Sequence, residues 1–170
     1  GTCSLDETRE ILRSMAAALS YLHAAPRRMV HRDIKPQNVL RVDAAWKLAD
    51  FGLARDLHGL DSAVSGVAGT TAFMPPEGFD GRITTAWDIW SLGVLALQLL
   101  TGQHPYTGVA ADQLRQVMQS RPPAIPPLPA PFDALVARCL QRTPAQRPGA
   151  EEVLALLEPP LPAPVAAPAP

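Results

Sequence analysis

The sequence predicts an α+β domain that is mainly helical, and three patterns carry that expectation. Apolar residues recur at three- and four-residue intervals over Leu5 to Tyr21, Phe132 to Leu140 and Ala150 to Leu157, the spacing of one face of a helix. A nearly continuous apolar stretch from Thr85 to Leu100 is too long for a strand and reads as a buried helix. Between Met29 and Leu48 the apolar runs are only two to four residues long and are separated by polar turns, which suits small strands.

In chain order, Ile11, Leu12, Met15, Leu19 and Leu22 form the apolar stripe of the first helix, with Pro26 beyond its end. Met29-Val30, Val39 to Val42 and Trp46 to Leu48 read as short strands framing a polar loop. Residues 54–71 are rich in Gly, Ser, Asp and Thr without periodicity, the pattern of a long mobile loop of functional type. Thr85 is the expected N-cap of the central helix and Gly102 its stop. A further amphipathic helix is expected over Ala111 to Met118, followed by a stiff Pro-rich connector from Arg121 to Pro131. The Pro- and Gly-punctuated turn from Arg142 to Gly149 separates the last two helices. After Glu158 only Pro, Ala, Val and Leu remain, so residues 159–170 read as an extended, disordered tail.

A length of 170 residues is enough for one domain with a substantial core. The formal net charge of −1 supplies no electrostatic footprint for nucleic acid. Cys3 and Cys139 stand far apart without partners at metal-ligand spacing, which excludes a disulfide framework or a zinc site and fits a cytoplasmic, intracellular setting. The longest apolar run, Leu92 to Leu100, is broken by Gln98 and falls short of the ~20 residues of a membrane span. Gly1 at the front, with no signal segment, suggests a start further upstream.

The chemistry concentrates in His31-Arg32-Asp33-Ile34-Lys35-Pro36-Gln37-Asn38, followed by Asp50-Phe51-Gly52. A carboxylate to take up a hydroxyl proton, a nearby ammonium, and two further oxygen ligands are the groups that phosphoryl transfer from ATP requires. At this spacing the segment resembles the catalytic loop and magnesium site of eukaryotic-like (Hanks-type) serine/threonine protein kinases. The resemblance implies a protein-kinase-like fold represented by its mainly helical C-terminal lobe, with residues 1–158 a partial kinase domain. It implies Asp33 as catalytic base, Lys35 as the cation facing the transferred phosphoryl group, and Asn38 and Asp50 as ligands of Mg2+. Lys35, Asn38, Asp50 and Leu40 would contact ATP, Leu40 with Val39 forming the floor under the adenine ring. Lys35-Pro36 resembles serine/threonine rather than tyrosine kinases, and protein Ser/Thr hydroxyls are the implied acceptors.

The likeness continues downstream. Gly69 to Glu77 resembles the substrate-binding loop, with Pro75 where the family has Ala, and implies a contact of Thr70 with Asp33 and Lys35. Glu77 is expected to pair with Arg147, and Asp88 to brace the catalytic loop. His31 is expected to stack in a spine with Phe51, whereas His23, His58 and His104 read as residues without chemistry, and Trp46, Trp87 and Trp90 as packing. Arg32 before the base suggests control by phosphorylation at Ser62, Ser65 or Thr71. No glycine-rich phosphate loop occurs, and neither Lys35 nor Lys47 has a strand-lysine context, so the ATP-gripping lobe is expected upstream and the chain alone is expected to be inactive. Two other readings compete: a pseudokinase scaffold, and an interaction module working through the segments Pro122 to Pro131 and Pro159 to Pro170.

Overall fold

The computed structural model describes residues 2–24, 26, 28–51, 55–56, 71–109 and 114–158. The expectations placed on Gly52, His58, Ser62, Ser65, Thr70 and the tail 159–170 lie outside them.

Helix α1 (Leu5–His23) begins where Ser4 accepts a hydrogen bond from the Glu7 N–H at 3.2 Å, with Asp6 and Glu7 in the first turn facing the positive end of the helix dipole. It runs two residues beyond the expected end. Its stripe of Ile11, Leu12, Met15, Ala16 and Leu19 is buried and packs on α2 (Ala86–Thr101), α5 (Ala150–Leu157) and strand β3 (Ala45–Leu48).

The strands are small. Strand β2 (Val39–Val42) pairs antiparallel with β3 through a two-residue turn in which Asp43 (φ 47) and Ala44 (φ 64) both adopt left-handed backbone, as a type I′ hairpin demands. Strand β1 (Met29–Val30) pairs instead with β4 (Arg55–Asp56), which lies in the stretch expected to be all loop. The β1–β4 pair thus closes off a stretch that contains the β2–β3 hairpin.

Helix α2 is buried on all sides from Trp87 to Leu97 and is the axis of the core. Gly102, at φ 71, closes it and donates its N–H to the Gln98 carbonyl at 2.8 Å. Thr85 does not cap it. Its backbone is already α-helical at φ −57 and ψ −27, the Trp87 N–H reaches the Thr84 carbonyl instead, and the Thr85 side chain lines an open groove beside α5. Helix α3 covers Leu114–Ser120 and ends two residues past the expected Met118; the expected start at Ala111 lies outside the described residues. Helix α4 (Phe132–Cys139) and α5 complete the helical layer, α5 capped by Glu152, whose carboxylate accepts the Gly149 N–H at 2.8 Å.

Helices α2 and α4 approach closely at Gly93, where an added Cβ would lie 2.7 Å from the Cys139 Cβ and 3.0 Å from a Leu140 methyl. Burial pushes the Cys139 thiol up to about 12, so it packs as an inert small group there. Gly93→Ala adds helix propensity, but the overlap is with α4's Cβ and cannot relax by a rotamer change. The substitution is expected to lower stability by about 1–3 kcal/mol, measured by urea unfolding. An unchanged midpoint would show that α4 is free to shift.

Candidate active site

The candidate site begins at the loop between β1 and the short 3₁₀ turn Pro36–Asn38. Asp88, in the first turn of α2, is fully buried, and its carboxylate accepts the His31 N–H and the Arg32 N–H, each at 2.8 Å. Two consecutive amides converge on one anion only when the chain leaves extended geometry, and Arg32 sits at φ 68. A third donor is His23, whose Nε2 lies 2.8 Å from Asp88 Oδ2. His23, read from sequence as a residue without chemistry, is therefore part of the brace. Its partner is 65 positions away, and no local pattern announces it.

On this held backbone Asp33 is buried, and its carboxylate is gripped from two sides. Lys35 Nζ lies 2.7 Å from Oδ2 and 3.0 Å from Oδ1. Asn38 Nδ2 donates to Asp33 Oδ2 at 2.9 Å and to the Asp33 carbonyl at 2.7 Å. Using both amide hydrogens this way turns Asn38 Oδ1 away from Asp33 as the oxygen left to serve a cation. Ala49 N–H donates to the Asn38 carbonyl at 2.9 Å, which brings Asp50, exposed and at φ 62, next to it in the chain. Left-handed backbone at non-glycine residues costs on the order of 1 kcal/mol and collects at functional sites. Asn38 and Asp50 offer hard oxygen donors, the set Mg2+ prefers.

His31 ties these pieces together as a neutral ring. Its Nδ1 accepts the Asp33 N–H at 3.3 Å, so the proton sits on Nε2, which donates to the Ala49 carbonyl at 3.2 Å. Burial pushes its pKa down, against the opposing pull of Asp88, the Ala49 carbonyl, Asp33 and Asp50. Phe51 packs edge-on against it, ring centroids 5.0 Å apart, in line with the expected stack. Leu40 lies on the exposed face of β2, with Val39 turned partly into the core.

The segment from Thr71 onward is anchored separately. Arg147 uses all five of its N–H donors: Glu77 Oε1 at 2.6 Å and Oε2 at 2.8 Å, the Ala86 carbonyl at 2.9 Å, the Gln141 carbonyl at 2.8 Å and the Arg142 carbonyl at 3.3 Å. Its guanidinium also lies over the Trp90 ring, 5.0 Å from the centroid. Carbonyls in the turn Thr71–Phe73 are tied from α2's side as well: Ser91 donates to the Phe73 carbonyl at 2.8 Å, and the His104 ring meets the Ala72 carbonyl. His104 is the second histidine that sequence reasoning left without a role.

Comparison with known proteins is consistent with this arrangement. The family model described as "Protein kinase domain" matches residues 1–156. The chain is 32% identical over 147 residues to human mitogen-activated protein kinase kinase kinase 7, covering 82% of this chain and 24% of that protein. It is 38% identical over 149 residues to the dual specificity mitogen-activated protein kinase kinase mek-1 of Caenorhabditis elegans, covering 83% and 42%. It is 39% identical over 145 residues to the serine/threonine-protein kinase PknL of Mycobacterium tuberculosis, covering 81% and 36%. The chain thus spans from a quarter to about two fifths of the length of these relatives. It belongs to the protein kinase domain family, and the fold is kinase-like, with mixed helix and strand. No helix among the described residues is long and apolar enough to cross a membrane.

Removing one partner of the Glu77–Arg147 pair strands the other charge in the interior. Arg147→Ala is expected to cost about 3–5 kcal/mol in urea unfolding, and Arg147→Lys to recover little, since an ammonium cannot reach five acceptors in one plane. Full recovery by lysine would mean that charge alone, not the fork of donors, holds the segment.

Proposed function

We propose that this chain carries the catalytic loop of a protein kinase that moves the γ-phosphate of ATP to Ser or Thr hydroxyls of proteins, with residues 1–158 as its C-terminal lobe. The single observation that carries the reading is the Asp33 carboxylate held between Lys35 and Asn38 on a backbone braced by Asp88. A buried anion fixed by two donors is oriented to accept a hydrogen bond from an incoming hydroxyl. As the hydroxyl oxygen bonds to the γ-phosphorus and the bond to ADP breaks, the proton passes to Asp33. Lys35, shared with Asp33, offsets charge on the transferred group. Asn38 Oδ1 and the Asp50 carboxylate would hold Mg2+, which when bound neutralises charge on the phosphates.

Several further features support the finer parts of the reading. Leu40, Val42 and Phe51 are 46%, 46% and 49% exposed, a set of large apolar groups around the site that suits an adenine ring and a second lobe seated above. The same feature supports catalysis only when an ATP-gripping lobe is joined to this one. Lys35-Pro36 favours Ser/Thr over Tyr as acceptor. Arg32, with its backbone at φ 68 beside the base, favours control by a phosphate on Ser62, Ser65 or Thr71. The free Cys3 and Cys139 suit a reducing, intracellular compartment.

The test is phosphate transfer from Mg-ATP to Ser, Thr and Tyr peptides by the full-length protein and by residues 1–170 alone. Asp33→Asn should lower transfer by the full-length protein about 100- to 10,000-fold with folding unchanged. Transfer surviving within about tenfold would remove Asp33 from the chemistry, and activity in residues 1–170 alone would remove the need for a second lobe.

A further inference from the structure

His104 lies in the loop after α2, outside the cluster of Asp33, Lys35, Asn38 and Asp50. Its hydrogen bonds determine its tautomer. The Tyr106 N–H donates to Nδ1 at 3.1 Å, so Nδ1 carries no proton. The proton is on Nε2, which donates to the carbonyl of Ala72 in the turn Thr71–Phe73, 32 positions away. The ring stands edge-on to Phe73 at 6.1 Å and tilted to Tyr106 at 6.2 Å.

This is the arrangement of His31. There too Nδ1 accepts the N–H of the residue two positions on, and Nε2 donates to a carbonyl in a different loop, at Ala49. His31 thereby fixes the segment entering Asp50. His104 fixes the segment that leads from Thr71 to Glu77, helped by Ser91 on the next carbonyl, Phe73. Within the turn the Met74 N–H donates to the Thr71 carbonyl at 3.2 Å, and the Ala72 and Phe73 carbonyls are met by these two outside donors.

We propose that His104 is a positioning residue for the protein substrate, its neutral ring holding the Thr71–Phe73 turn in the form that receives the acceptor peptide; this rests on the kinase reading above. An imidazolium would place a proton on Nδ1 against the Tyr106 N–H, while its Nε2 would still donate to the Ala72 carbonyl. Burial pushes the His104 pKa below its ordinary 6.5, against the opposing pull of the Ala72 carbonyl. Of the titratable and charged groups nearby, Tyr106 is the ring neighbour, Arg121 sits over the Tyr106 ring at 5.9 Å, and Arg142 acts on Tyr106 from further off. Among the described residues no carboxylate acts on the ring.

Two isosteric substitutions separate this role from mere packing. A glutamine amide nitrogen is as many bonds from Cα as Nε2, so H104Q keeps the donor to Ala72. An asparagine oxygen matches Nδ1, so H104N keeps the acceptor for Tyr106 N–H and loses the reach to Ala72. The ring also borders a cavity of about 460 Å3 lined by Gln103, Pro105, Arg121 and Ile125, which leaves either amide room to settle.

In the full-length protein, H104N is expected to raise the KM for a Ser/Thr peptide about five- to tenfold, with kcat and the KM for ATP within twofold. H104Q is expected to stay within twofold of wild type. Equal effects of both substitutions, or a loss in kcat of the same size, would overturn the proposal. A second measurement does not depend on activity: in residues 1–170, the Met74 amide should exchange with solvent at least about fivefold faster in H104N than in wild type or H104Q, and the His104 15N shifts should report the Nε2–H tautomer at pH 7. An Nδ1–H tautomer or unchanged exchange would overturn it. If no peptide is phosphorylated by wild type while both of these results hold, the kinase reading fails and the tie itself stands.

Discussion

Asp88 is the interaction on which the rest of this structure depends. A carboxylate with no exposed surface is costly in an apolar interior unless its lone pairs are filled, and here two backbone amides and one imidazole fill them. Because the amides belong to His31 and Arg32, the loop bearing Asp33 is joined directly to the first turn of α2. Because α2 is the most buried helix and is seated on α4 at Gly93, the loop inherits the rigidity of the core rather than that of a surface connection. The dipole of α2 assists, since Asp88 lies at its positive end.

The same turn of α2 receives a second buried charge pair. Arg147, besides gripping Glu77, donates to the Ala86 carbonyl and covers Trp90. The segment before Phe51 and the segment from Thr71 are thus tied to the same few residues of one helix. Burial sorts the charges by task. Asp88, Glu77 and Arg147 have their polar atoms filled by protein partners and serve as scaffold. Lys35 is half-buried against Asp33, and Asp50 is exposed, as Leu40 and Phe51 are.

Much of this was legible beforehand, for reasons that can be traced to particular residues. Helices α1, α4 and α5 follow the apolar period because each packs one stripe on a common core. Asp33, Lys35 and Asn38 were legible because they lie within six positions of one another, so that local spacing nearly determines distance. The Glu77–Arg147 pair was legible only through the family resemblance, being 70 positions apart. Thr85 failed as a cap since capping depends on backbone angles that residue type does not set. The hairpin at Asp43-Ala44 lacks the glycine that usually marks left-handed turns, and its geometry follows from the pairing of β2 with β3 instead. His23 and His104 were missed because a histidine's role is decided by what its second nitrogen meets, and those partners, Asp88 and the Ala72 carbonyl, are supplied by distant segments.

Backbone and side chain divide the labour at the site, and the division explains which residue types matter. Asp88 recognises amide hydrogens of positions 31 and 32, groups that every residue except proline carries, so the brace by itself would tolerate many side chains there. His31 and Arg32 are therefore at liberty to use their side chains elsewhere, His31 toward Ala49 and Phe51. Positions 33, 35 and 38 act through side-chain atoms at distances of 2.7 to 3.0 Å, where one methylene more or less would move a charge out of hydrogen-bond range. A glutamate at 33 would overshoot Asn38, and an aspartate at 38 would bring a second anion against the first and lose the two donors that orient it. The chemistry is thus specified by side-chain length on a backbone whose position is specified by α2.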